Sequence, residues 1–201
     1  MREPDDRGES DDVQGEATSE EAMLLRRRPD NELPGSVAVD AVLASSEELV
    51  VFICGLSVYR HGIDLTVEVR ARPGRSVAHP EGLLAEVGGH GDGWSPLLLG
   101  VEYSDGRSCG NAERSPATVP ADQPLLLSDS ATADDRRAST SWFLSPLPPA
   151  GDLRIVCSWP SHGVPETTTT LSTEPILRAA ARARELWPWQ PRSETRPPLP
   201  R

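Results

Sequence analysis

Residues 141–189, SWFLSPLPPAGDLRIVCSWPSHGVPETTTTLSTEPILRAAARARELWPW, decide the fold. Thr140–Leu144 and Leu153–Trp159 read as strands joined by the proline-rich link 146–152. His162-Gly163-Val164-Pro165 turns the chain into Glu166–Leu171, where four successive threonines favour strand. Ser172 or Thr173 then caps a helix, with Pro175 in the first turn, where a missing N–H does no harm. Ile176, Ala180, Ala183 and Trp187 fall on one stripe, which predicts a helix over about 173–187 that packs Trp187 against the body. Pro188 ends it.

Upstream, Ile63, Leu65, Val67 and Val69 alternate with Asp64, Thr66, Glu68 and Arg70, the pattern of a half-buried strand. Leu49–Tyr59 precedes it across the turn Arg60-His61-Gly62 and is apolar on both faces, as a central strand would be. Val37–Leu43, Pro96–Tyr103 and a short Leu125–Leu127 supply further strands, and Asp105-Gly106 marks a hairpin. Ser128–Ala138 reads as a polar excursion. About seven or eight short strands predict a mostly β fold, an immunoglobulin-like antiparallel β-sandwich with one C-terminal α-helix. A small barrel is the competing architecture.

The composition sets the domain limits. Residues 1–22 hold nine carboxylates against Arg2 and Arg7, and the acidic stretch 1–35 is too poor in large apolar residues to offset its chain entropy, which predicts a disordered tail. Residues 36–189 are the expected domain, and 190–201 a second, Pro/Arg-rich tail. With a formal net charge of −11, the chain repels phosphates, so nucleic acid is excluded as an expected partner. Arg26, Arg27 and Arg28 are expected to pair with the acidic tail. No apolar run reaches the roughly 18 residues of a membrane span, and no signal peptide is read, so the expected location is the cytoplasm.

Candidate chemistry is sparse. Cys54 and Cys157 each sit mid-strand and read as buried thiols, with a cross-core bridge as the other possibility. Cys109 follows the hairpin turn beside Arg107, and an arginine lowers a thiol pKa, so it is the candidate reactive thiol. No histidine is tied to it by spacing as a base, and no catalytic residue is assigned. His79 and His90 form no recognised metal pattern, so no metal or cofactor is expected. Trp142, Trp159 and Trp187 are expected in the core. Trp94 and Trp189 border loops and are the candidate partner contacts.

One block, W-x-x-x-PLPP-x-G-x-L, then C-x-WP-x-HG-x-PE, then AA-x-A-x-x-LWP over Trp142–Pro188, resembles a block found in uncharacterised actinobacterial hypothetical proteins. This chain has SDSATADDRRAST where that group carries a glycine-rich loop. The resemblance implies a shared fold and role, and carries no activity with it. The function expected from the residues is a non-enzymatic protein-interaction or accessory module. The alternatives are a small cysteine-dependent hydrolase or transferase built on Cys109, and a small-ligand or metal-binding sandwich.

Overall fold

A computed structural model describes residues 26–74, 96–111, 119–134 and 136–189. The strands are β1 (Glu32–Leu33), β2 (Gly35–Val37), β3 (Ala41–Ser45), β4 (Leu49–Val58), β5 (Ile63–Ala71), β6 (Leu98–Glu102) and β7 (Ser108–Gly110). They continue with β8 (Leu125–Ala133), β9 (Arg137–Ser145), β10 (Asp152–Trp159), β11 (Val164–Ser172) and β12 (Arg184–Glu185), and α1 spans Thr173–Ala180. One sheet runs β2-β4-β5-β9-β8, with β3 beside β4; the other runs β11-β10-β6-β7. The pairings within both are antiparallel. The protein is a β-sandwich with a single α-helix among the described residues.

The alternation in β5 is realised residue by residue: Ile63, Leu65, Val67 and Val69 are buried, and the polar residues between them are partly exposed. On β10, Leu153, Ile155, Cys157 and Trp159 do the same from the facing sheet. These side chains meet Leu99, Val101, Trp142 and Leu144 in one core. Trp142 and Trp159 are 2% and 0% exposed. Each such ring contributes on the order of 5 kcal/mol by buried area, an upper bound.

Four expectations change. Strand β4 is not apolar through and through. A bulge between Ile53 and Leu56 inserts one extra residue, keeping both in the core and turning Cys54 outward. Cys157 is buried as expected, while Cys54 is exposed; both are unpaired, so only one of the two thiols lies in the core and no bridge joins them. Strand β8 continues through the supposed polar excursion to Ala133, because its outer half lies on a wet edge where Ser, Thr and Asp meet water.

The helix is half the expected length. Ser172 caps it by accepting from the Glu174 N–H, and Thr173 Oγ1 both accepts from the Gly151 N–H (2.9 Å) and donates to the Gly151 carbonyl (3.0 Å). Thr173, Ile176 and Ala179 are its buried residues, and Ala179 sits so close to β2 that a Cβ at Gly35 would drive into the Ala179 carbonyl. The next bonds, Arg182 N–H to Ala179 and Ala183 N–H to Ala180, tighten the turn and stop the helix. The chain then leaves as β12, and Trp187 is 52% exposed instead of packed in the core.

The fourth change is the N-terminal boundary. Residues 26–35, assigned to the tail by composition, are part of the fold. Arg26 and Asn31 are buried, and β1 pairs with β12 in a separate two-stranded ladder, Glu32 opposite Glu185 and Leu33 opposite Arg184. Along one flank, Thr167 Oγ1 of β11 donates to the Leu43 carbonyl of β3 (2.7 Å), and Thr169 Oγ1 donates to that of Val42 (3.5 Å), joining the two sheets. No described helix is long and apolar enough to cross a membrane.

Candidate functional site

The strap formed by residues 26–33 is held to the sandwich by polar contacts at nearly every step. Arg26 donates to the Pro120 carbonyl, and the Arg27 carbonyl lies 3.2 Å from His61 Nε2. Arg28 pairs with Asp64 at 2.8 Å and with Asp129. The hydrogen bond to Asp64 is the main reason the Arg28 guanidinium is pushed above its ordinary value. Within the cluster, Arg28 is thus paired with carboxylates of the folded body and Arg26 with one of its carbonyls; the expected pairing with the acidic tail falls on residues outside those described. Glu32 accepts from the Arg60 N–H at 3.2 Å.

Asn31 ends the strap and captures the other end of the described chain. Its carbonyl accepts from the Leu186 N–H (2.7 Å), and its side-chain amide donates to the Trp187 carbonyl (3.1 Å). Those two bonds and the β1–β12 ladder fix the backbone that leads into Trp187-Pro188-Trp189. The result is a group of large apolar side chains left exposed on and just beyond the β1–β12 ladder, at one corner of the molecule. Leu33, Leu186, Trp187 and Trp189 are 42%, 50%, 52% and 48% exposed. One exposed apolar side chain is ordinary, but several close together on a fixed backbone mark an interaction surface. Tryptophan on a fixed backbone is also the side chain that most often dominates a protein–protein contact.

Trp189 lies in this patch, Trp94 outside the described residues. The sequence reading missed Leu33, Leu186 and the role of Asn31, and placed Trp187 in the core. One signal was present: Leu186, Trp187 and Trp189 are three bulky apolar residues in four positions around Pro188, too many for one buried stripe.

Cys109 is in a different environment from the one expected. It stands opposite the buried Val101 across the β6–β7 pair, so both side chains share the core-facing side. Burial pushes its thiol up to about 12. Arg107 is held elsewhere, 2.7 Å from Asp105 and 5.4 Å from the Tyr103 ring centre. Burial disfavours the thiolate that a nucleophile requires, opposite to the lowering expected from Arg107.

His162 sits in a 3₁₀ turn, 3.2 Å from Glu48 through Nδ1, with its ring edge-on to Trp159. His79 and His90 lie outside the described residues. Among the described residues no three His, Cys, Asp or Glu side chains converge in a way that would hold a metal ion. An open groove of about 270 Å³ runs between the β2–β3 break and the start of α1, lined by Val39, Asp40, Leu171, Pro175 and Ile176 among others. It falls below the roughly 300–1,000 Å³ that ligand sites occupy.

The residues of the Trp142–Pro188 block have structural work in this fold. Trp142, Cys157 and Trp159 fill the core, and Gly163 closes the 3₁₀ turn at a left-handed φ of 66°. No family model, curated protein or solved structure matches the chain.

Proposed function

We propose that this chain is a non-enzymatic interaction module that docks a protein partner through the Leu33, Leu186, Trp187 and Trp189 surface. The observation that carries the reading is the fixed but uncovered aromatic corner, held in place by the Asn31 bonds to Leu186 and Trp187. The fold offers a rigid scaffold for it. Strand order β8-β9-β5-β4 against β11-β10-β6-β7 follows the D-E-B-A and G-F-C-C′ order of immunoglobulin domains, which supports an immunoglobulin-like module. Residence in the cytoplasm, where thiols stay reduced, suits three unpaired cysteines. Membership of the actinobacterial group whose block it resembles belongs to the same proposal.

The test is a photo-reactive residue placed at Trp189 in the full chain, with Thr168 on the outer side of β11 as control position. A discrete adduct specific to Trp189 in cells of the native host identifies the partner by mass spectrometry. Purified partner then binds the Trp187→Ala and Trp189→Ala variants about 30-fold more weakly or worse, the change expected for hot-spot tryptophans. Equal adducts at both positions, or unchanged affinity in both variants, overturn the reading.

A further inference from the structure

We propose that the acidic N-terminal segment of the same chain, residues 1–21, lies over this aromatic corner and must be displaced by a partner. The inference rests on reading the corner as a docking surface, and adds what occupies it when no partner is bound.

Charge complementarity is the first argument. Arg182 and Arg184 precede the tryptophans on the same segment, and both are exposed. The Arg182 guanidinium donates only to carbonyls, those of Arg178 and Ser36, so its charge meets no carboxylate among the described residues. The nearby acids are mostly engaged: Glu174 by Arg178, and Glu32 by Arg60. Glu185, exposed on β12, is the carboxylate that opposes the effect. Beyond the Glu174–Arg178 pair, residues 179–201 carry five arginines (Arg182, Arg184, Arg192, Arg196 and Arg201) against Glu185 and Glu194. Residues 1–22 carry nine carboxylates against two arginines. In a protein of net charge −11, this corner is where a polyanionic segment of the same chain is attracted instead of repelled.

Reach is the second argument. Arg26 and Asn31 are five residues apart, so the strap separates them by at most about 18 Å. Residues 20 and 21 stand five or six positions before Arg26, enough to return over that span, and the carboxylates from Glu3 to Glu16 lie further out along the same tether. Individually such exposed pairs are weak. Tethering raises the local concentration to the order of millimolar, which lets several of them act together. An electrostatic cover of this kind loosens as the screening length falls to about 3 Å at 1 M salt.

The experiment uses the full chain with p-benzoylphenylalanine replacing Trp189, irradiated as purified protein at low salt. Proteolysis and mass spectrometry are expected to find the adduct within residues 1–21 of the same molecule. Its yield should drop at least threefold in 1 M NaCl, and likewise in a full-length variant whose nine acidic residues are changed to the matching amides. No adduct to residues 1–21, a yield indifferent to salt and amidation, or an adduct between two copies that grows with protein concentration each overturn the proposal. A partner adduct in cells without the intrachain one removes this inference alone. Loss of both removes the docking surface itself.

Discussion

The side-chain amide of Asn31 donates to the backbone carbonyl of Trp187 at 3.1 Å, joining positions 156 residues apart in the chain. It makes the exposed Trp-Pro-Trp run part of the folded body. Asn31→Ala removes that bond while leaving the Leu186 N–H bond to the residue 31 carbonyl. The expected cost is about 1 kcal/mol of stability, read from the urea midpoint. Faster amide exchange at Leu186 should accompany it. Unchanged exchange there would show that the ladder alone holds this end.

Tryptophan substitutions should separate core from surface. Trp159 is fully buried, and Trp159→Ala is expected to cost about 3–5 kcal/mol. Trp187→Ala, at a half-exposed position, should cost well under about 1 kcal/mol. Equal losses in the two melts would mean that Trp187 is packed after all.

Helix docking has a single-atom test. At Gly35 there is no room for a methyl group, because the Ala179 backbone lies where it would sit. Gly35→Ala therefore forces α1 away from β2, at an expected cost of about 1–3 kcal/mol. Hydrogen exchange should show the loss localised to α1. A variant as stable as the parent would mean that the helix is not seated on that strand.

Stability should fall in alkali. Burial pushes the Cys109 and Cys157 thiols up to about 12, from an ordinary value of 9.0. Above that ordinary value the unfolded chain releases these protons and the folded chain keeps them. The unfolded state then binds fewer protons, so folding stability drops as pH rises through the window from about 9 to 12. Burial raises the Tyr103 phenol as well, which adds to the loss. The urea midpoint should decline above pH 9, and less steeply in Cys109→Ala. A flat midpoint up to pH 11 contradicts the burial of these groups.

Cys54 should stand apart from the other two. It projects from the β4 bulge into solvent, so one equivalent of a maleimide should react quickly with native protein, at Cys54. Cys157 should react only on unfolding, and Cys109 far more slowly than Cys54. Fast labelling at Cys109 would revive the reactive-thiol reading.

Where one face is dry and the other wet, side-chain order reports structure directly, which is why β5 and β10 could be read from alternation. The bulge at Cys54 could not, because Val50, Phe52 and Cys54 are apolar whichever way they point, and a one-residue insertion leaves no mark on such a run. The outer half of β8 was hidden for the opposite reason: Ser128, Asp129 and Ser130 are polar because they face water at a sheet edge, the same composition a loop would have. Helix α1 was overextended because Ala183 and Trp187 continue its spacing. The helix ends in the tightened turn at Arg182 and Ala183, and the segment after it is captured by Asn31 and β1, far back in the chain, where no local spacing reports it. The corner surface was half legible, through Trp189, since its other half depends on that same long-range capture.

The threonine hydroxyls of β11 that reach the Val42 and Leu43 carbonyls have a consequence for life at high concentration. A bare outermost strand is a template on which a stranger's backbone can polymerise. Here two of the acceptors such a stranger would use are already taken from within. Growth of fibrils by strand addition is obstructed along that flank, and crowding has to find another way to make these molecules stick.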